Sequence, residues 1–360
     1  MNKTINQVYL NTSSALNSIY KKRRVANLFQ KVIWLVFGLW LLFMLINTLS
    51  SYLGKELTII DIDKYIPPAL SYYPYKNLLI FGCLIVLYYP SAFLFSYFFK
   101  KYKEIEQSTI TKMVNTLFPN TDFSLNTSLS TNQVYKSNLF AWLKLDDTIY
   151  TYGQMRKRIE GIDLNMADIG ITEKNASSKI LEGLITIPGL NLLILIYQYT
   201  LKNIFTNKSA DNVYYTFRGL YSWAQFNKKI NGKTIIISNN ISSKLDRFAS
   251  FNFKDEEKII LENTQFQKYF SVYGTSQIEA RYVLSISLIE KIVELREKFD
   301  RPIMLSFTQN NVFLAVHNPN GFFSFPNGKI DSIEIINELV HEINTVQDVV
   351  TDFNLQHQSF

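Results

Sequence analysis

The chain has 360 residues, a net charge of +7 and one cysteine, and 47% of its residues are hydrophobic. A single cysteine excludes a disulfide within one chain and any metal site built on several cysteines. The positive charge alone would suit a nucleic-acid-binding protein, but no nucleic-acid-binding motif accompanies it, and much of it flanks two apolar segments. We therefore expect no nucleic-acid partner.

The N-terminal third predicts a membrane anchor. Residues 1–31 have apolar positions at loosely helical spacing and end in basic residues, which predicts a cytoplasmic amphipathic or basic segment. It either lies on the inner leaflet or only stops translocation. Residues 32–53 and 78–99 are two runs of 22 residues without a charge. At about 1.5 Å per residue, each can cross a bilayer core of about 30 Å as a helix. Residues 54–77 then form a short external loop.

The basic residues around these runs predict their orientation. Lysine and arginine are in excess before the first run and directly after the second, whereas the loop between the runs carries equal numbers of acids and bases. Because such flanks stay in the cytoplasm, we expect a multi-pass protein of the bacterial inner (plasma) membrane with both termini cytoplasmic. Its first partner is then the lipid bilayer. A third apolar stretch, residues 183–201, contains Pro188, Asn191 and Gln198. We favour a buried or membrane-dipping segment there over a third span.

The remaining two thirds predict a helix and linker followed by one folded domain. Residues 100–138 continue helically as far as Pro119 and then become polar. Residues 139–360 mix strand and helix patterns, which predicts an α+β domain with an antiparallel or mixed sheet and packed helices. The predicted strands are 158–171, 213–226, 234–238, 303–308 and 312–317. Asn231-Gly232 predicts a hairpin turn between the second and third of these strands, and Gln309-Asn310-Asn311 predicts another between the last two. The predicted helices are 276–299, as one bent helix or two, and 330–353.

One arginine stands out in the predicted domain. Arg218 lies inside an aromatic strand pattern, and a buried charge is costly unless it is paired. We expect Arg218 to meet Glu279 or another acid and so to fix the sheet against a helix. The functional alternative is a ligand pocket lined by Arg218, Tyr273, Glu279, Arg281 and Tyr282. Three widely separated histidines and the lack of a glycine-rich phosphate loop predict no metal site and no cofactor.

Three sequence blocks carry a family resemblance. FRGLYSWAQFNKKINGKTIIIS at 217–238, QKYFSVYGTSQIEARYVLS at 267–285 and RPIMLSFTQNNVFLAV at 301–316 resemble the bacterial family called domain of unknown function 3137. The resemblance extends more weakly to IEGIDLNMADIGI at 159–171 and to the paired apolar runs. It implies a membrane-associated protein without an assigned activity. It also implies a LemA-type membrane protein as a partner, because members of the family are often encoded beside such proteins.

Together these features favour an interaction or regulatory module at the inner membrane. The alternative is a membrane-bound, hydrolase-like enzyme with a pocket near Arg218, Glu279 and Arg281. A deep pocket with converging polar groups would favour the enzyme, whereas an exposed apolar face would favour the module.

Overall fold

A computed structural model describes residues 2–53, 73–140, 143, 147–159, 161–172, 215–225, 231–239, 257–299, 301–325, 330 and 333–355. The apolar stretch 183–201 and most of the predicted external loop lie outside the described residues. The described chain divides into two compact units. A helical unit contains residues 15–53 and 73–105, and a sheet unit contains residues 2–14, 106–172 and 215–355.

The helical unit consists of parts of two long helices, α1 (Asn2–Leu53) and α2 (Tyr73–Leu117). By length and composition, both are apolar enough to cross a membrane. Phe29 of α1 stacks on Phe98 of α2, with ring centroids 6.3 Å apart. The α2 side chains Val86 and Phe93 are 69% and 71% exposed. Exposed apolar surface of this kind suits contact with lipid or another protein, so both helices are compatible with a membrane anchor.

The sheet unit contains a nine-stranded antiparallel sheet among the described residues, in the order β1-β2-β3-β4-β9-β8-β5-β7-β6. The strands are β1 (Thr121–Ser124), β2 (Thr148–Ile159), β3 (Ile162–Thr172), β4 (Phe217–Gln225), β5 (Lys233–Ser238), β6 (Glu257–Ile259), β7 (Phe270–Gly274), β8 (Ile303–Thr308) and β9 (Asn311–His317). The predicted α+β class is confirmed.

Five further helices belong to the sheet unit in the described residues: α3 (Thr131–Tyr135), α4 (Thr264–Tyr269), α5 (Gln277–Val283), α6 (Ile286–Phe299) and α7 (Ile333–Leu355). The predicted helical region 276–299 is thus two helices. Ser276 begins α5 by accepting a hydrogen bond from Glu279 N at 3.4 Å, and Leu284 ends it with a non-helical backbone. The buried stripe of α6, which contains Leu288, Ile292 and Leu295, recurs at helical spacing.

The core on one sheet face includes a segment that the sequence predicts to be linker. Leu129 and Val134 join buried residues of the central strands in one apolar cluster, and β1 and α3 lie in the same stretch. The polar composition of residues 120–137 hides this role, because the few apolar residues are spaced among serine, threonine and asparagine.

The two predicted hairpins have different outcomes. The turn at Gln309 and Asn310 joins β8 directly to β9 with positive φ at both residues, which confirms this hairpin. The prediction of a hairpin at Asn231-Gly232 is wrong. The strands on either side of this turn, β4 and β5, do not pair, because β9 and β8 lie between them in the sheet. Tertiary contacts hold that turn instead: Thr275 Oγ1 accepts a hydrogen bond from Lys233 N at 3.0 Å. Long-range strand pairing therefore overrides the local preference of the Asn-Gly sequence.

Candidate functional site

A buried ion pair joins two neighbouring strands of the sheet. Arg218 of β4 and Asp168 of β3 lie on the same sheet face, because Arg218 is paired with Gly170, two residues beyond Asp168. Their side chains are 7% and 0% exposed. The Arg218 guanidinium donates to both carboxylate oxygens, with Nη2 3.0 Å from Oδ2, and Nη1 also donates to the Ile169 carbonyl at 3.1 Å. This two-pronged geometry is the strong form of an arginine–carboxylate contact.

The segment after β9, residues 318–325, closes over the carboxylate. The backbone N–H groups of Phe322 and Phe323 both donate to Asp168 Oδ2 at 2.9 Å. Further along, Phe325 N donates to Oε1 of Glu106, a buried residue of α2, at 3.2 Å. The segment is therefore fixed to β3 at one point and to α2 at another, in both cases through a buried acid.

Gly321 allows this close approach. Its φ is +76°, and a Cβ atom there would lie 2.6 Å from Arg218 Cζ and 2.9 Å from Asp168 Oδ2. Glycine alone satisfies both the backbone conformation and the available space. Asn318 holds the turn, since its N–H donates to the Arg218 carbonyl at 2.9 Å and its Nδ2 donates to the Gly321 carbonyl at 3.0 Å.

Two tyrosines cover the guanidinium. Arg218 Cζ lies 3.8 Å from the ring centroid of Tyr152 and 5.8 Å from that of Tyr215. The two tyrosine hydroxyls hydrogen-bond to each other. The Tyr215 ring also packs directly on Gly170, where a Cβ would lie 2.6 Å from Cδ1. The arginine thus gains a cation–π contact in addition to its ion pair.

The electrostatics of the pair indicate a structural role. Burial raises the pKa of Asp168, and the Arg218 guanidinium together with the N–H groups of Phe323 and Phe322 opposes that rise. Two guanidinium nitrogens and two backbone N–H groups already occupy the carboxylate oxygens. An acid held by four donors is a fixed charge that organises the backbone, and it has little capacity left to accept a proton from a substrate.

A histidine lies near the same end of the sheet. His317 is the residue of β9 paired with Gly219, and its ring contacts that of Phe217 with centroids 5.9 Å apart. Burial lowers the pKa of His317, and the nearby Arg301 lowers it further, against a hydrogen bond with the Arg218 backbone that raises it. The fold therefore favours the neutral imidazole.

A solvent-open groove runs beside the 318–325 segment. Ile110, Asn320 and Leu339 are among the residues that line it. Its charged residues Arg301 and Glu338 pair with each other, with Nη2 and Oε1 2.7 Å apart. The charges in this groove therefore neutralise each other.

The other predicted site residues lie far from Arg218. Tyr273 is on β7 and packs against the apolar cluster of the core. Glu279 accepts a hydrogen bond from Asn231 N at 3.3 Å and so supports the turn before β5. Three strand spacings and at least seven residues of β4 separate that turn from Arg218, which corresponds to more than about 20 Å. Arg281 and Tyr282 are exposed on α5. The structure brings Glu279, Arg281 and Tyr282 together on one short helix, without Arg218.

Sequence reasoning did not single out Asp168 or the 318–325 segment. Asp168 is the single acid in the apolar run 164–171, just as Arg218 is the single base in the run 217–225. Each of these two apolar runs therefore carries one charge, and this matching could have suggested the pair. Among the residues that the structure describes, no three His, Cys, Asp or Glu side chains are grouped so that they could hold a metal ion.

Comparisons with known proteins identify a family but no activity. Residues 215–355 match the family described as "Protein of unknown function (DUF3137)". The family resemblance is confirmed over this range. The match covers β4 to α7 and includes Arg218, whereas Asp168 precedes it. No curated protein matches the chain, and no solved structure matches it.

Proposed function

We propose that this protein is an interaction or regulatory module anchored in the bacterial inner membrane, with α1 and α2 as two spans. Both termini and the sheet unit lie in the cytoplasm in this proposal. The two apolar helices support the anchor, and the basic residues that flank them support the orientation. The family resemblance makes a LemA-type membrane protein the first partner to test.

The observation that carries the interaction role is a set of exposed apolar side chains on α5 and at the start of α6. We call it the docking surface, and it consists of Ile278, Tyr282 and Ile286. These side chains are 82%, 59% and 77% exposed. Ile278 and Tyr282 are four residues apart on one helix and therefore neighbours on its surface. Burying one large apolar side chain stabilises by about 1.5–3 kcal/mol, so a partner that covers this surface gains substantially.

The polar residues of the predicted pocket support the same interpretation, because the fold already uses them. Arg218 is bound by Asp168, and Glu279 supports the turn before β5. An enzyme that used these two residues would have to break contacts that hold the sheet and its turn together. An interaction through α5 and α6 leaves those contacts intact.

Photo-crosslinking in intact cells tests the proposal. A benzophenone amino acid replaces Tyr282 in the full chain, and a matched control carries it in place of Tyr135, which is 49% exposed on α3. We expect a discrete protein adduct from position 282 that is lost when Ile278→Ser and Ile286→Ser are combined. An adduct that persists in that variant, or the same adduct from both positions, would contradict the proposal.

A further inference from the structure

We propose that the docking surface and the adjoining face of α6 bind a basic amphipathic helix of a partner protein. This inference rests on the proposed interaction role and specifies the chemistry of the partner. The exposed face of α6 continues from Ile286 through Glu290, Glu294 and Glu297. At 100° per residue, these four positions fall within about 80° of one another. The exposed face of α6 therefore begins with an apolar residue and continues with acids, and α5 precedes its apolar end in the chain.

The burial pattern of α6 fixes which face is available. Leu288, Ile292 and Leu295 are buried on the opposite side of the helix, with exposures of 3%, 0% and 2%. The acids are therefore directed away from the core of the sheet unit. The glutamates at 290, 294 and 297 span about 10 Å along the axis, which matches lysines or arginines at the same spacing on a second helix.

The internal contacts of these acids are weak enough to exchange. Lys291 Nζ lies 3.5 Å from Glu294 Oε2, with side chains 41% and 66% exposed. Glu297 accepts hydrogen bonds from Gln265 at 3.2 Å and from Tyr269 at 3.3 Å, both exposed. Exposed pairs of this type contribute about 1 kcal/mol or less, so cations of a partner can replace them at little cost.

Charge also selects between a protein and a lipid surface. Surfaces that dock on anionic membranes place lysine and arginine beside the apolar residues. Here the acids extend the apolar end, and an anionic leaflet would repel them. Arg281, exposed on α5, lies at the apolar end of the face, so the cations of the partner must lie at the α6 end. The complementary partner is therefore a helix that is apolar at one end and basic at the other.

A peptide titration with the full chain in uncharged nanodiscs tests this inference. The probe is a fluorescent helical peptide of about 18 residues with leucines at one end and three lysines at i, i+4 and i+7. A second peptide has glutamates in place of the lysines. The test variant combines Glu290→Lys, Glu294→Lys and Glu297→Lys. The matched control combines Asp122→Lys, Asp163→Lys and Glu334→Lys, three exposed acids outside this face with the same total charge change.

We expect fluorescence anisotropy to show at least a tenfold loss of affinity for the basic peptide in the test variant, equal to about 1.4 kcal/mol. The test variant should instead prefer the acidic peptide. The control should keep the affinity of the unmodified chain for the basic peptide. Combining Ile278→Ser with Tyr282→Ser should weaken the binding of both peptides, because both present the same leucines.

Three results would overturn the inference. The first is no binding of the basic peptide, and the second is an equal loss of affinity in the test and control variants. The third is binding of the unmodified chain to phosphatidylcholine vesicles only when they contain phosphatidylglycerol, with loss of that binding after Ile278→Ser, which would identify a lipid surface. If position 282 gives the discrete adduct that is lost in the Ile278→Ser/Ile286→Ser variant while the basic peptide fails to bind, the interaction role stands and the partner class is wrong. If both fail, both proposals fall.

Discussion

Replacing Arg218 by methionine tests whether the buried ion pair holds the sheet together. Methionine keeps an apolar stem, but it leaves the carboxylate of Asp168 buried with only the N–H groups of Phe322 and Phe323. Breaking a buried pair by removing one partner costs about 3–5 kcal/mol. For a domain of this size, each kcal/mol corresponds to about 2–4 °C, so the melting temperature should fall by about 6–20 °C.

A double variant separates the ion pair from simple loss of packing. Asp168→Asn combined with Arg218→Met removes the unpaired charge, and the asparagine oxygen can still accept from both backbone N–H groups. The double variant should therefore be more stable than Arg218→Met alone by about 2 kcal/mol. Arg218→Lys gives an intermediate case, because lysine keeps the charge but cannot contact both carboxylate oxygens in the same plane.

Thermal unfolding of the full chain in detergent, followed by tryptophan fluorescence, measures these differences. Trp223 is a suitable reporter, since its ring lies 5.4 Å from that of Tyr221 in the core of the sheet unit. A double variant less stable than Arg218→Met by the full effect of Asp168→Asn would show simple additivity. That result would refute the account of the pair.

Three further predictions address the same region. Gly321→Ala should destabilise the protein clearly more than Gly161→Ala in the same unfolding assay. Both glycines have positive φ, which costs an alanine about 1–2 kcal/mol at either position, but only at Gly321 would the new Cβ also collide with Arg218. Equal losses of stability would contradict the steric argument. Stability should fall as the pH drops below 6.5, because His317 takes up a proton in the unfolded chain at a higher pH than in the folded chain. The free energy of unfolding should fall by at most about 1.4 kcal/mol per pH unit. His317→Gln should flatten this dependence, and an unchanged slope would exclude His317 as its source. Combining Arg218→Glu with Glu279→Arg should not restore the stability lost in Arg218→Glu, because the two sites lie more than about 20 Å apart, and any rescue in urea unfolding would refute that separation.

The sequence predicts α1, α2, α6 and α7 and the strands β4, β5, β8 and β9 because each carries a strong periodic signal. The predicted strand 158–171 contains most of β3 but runs across the turn at Gly161 into the end of β2. The strands β1, β6 and β7, most of β2 and the short helices α3 and α4 are not among the predicted elements. The apolar runs of α1 and α2, the stripe of α6 and the turn at Gln309-Asn310 are local features that determine local structure. The order of strands is different, because it depends on contacts between distant residues. The Asn231-Gly232 turn illustrates this. Its sequence favours a hairpin, but β4 and β5 do not pair, and hydrogen bonds to Thr275 and Glu279 stabilise the turn instead.

The candidate site was harder to predict for the same reason. Arg218 was recognisable as a buried charge that needs an acid, but several acids were available and only the register of β3 against β4 brings Asp168 to it. The role of Gly321 depends on its close approach to the Arg218–Asp168 pair, and it lies 153 residues beyond Asp168 in the sequence. Such contacts become visible only in the folded chain.

A topology map with reporter fusions shows directly whether α1 and α2 anchor a cytoplasmic domain. Reporters attached after residues 76, 130, 210 and 360 would be assayed on both sides of the membrane. We predict that only the fusion after residue 76 reports outside the cytoplasm, because the two apolar runs then form one outward and one return crossing. If the fusions after residues 210 and 360 also report outside, residues 183–201 cross the membrane. The strands of one sheet would then be assigned to opposite sides of the bilayer, and the account of a membrane-anchored cytoplasmic module would be contradicted.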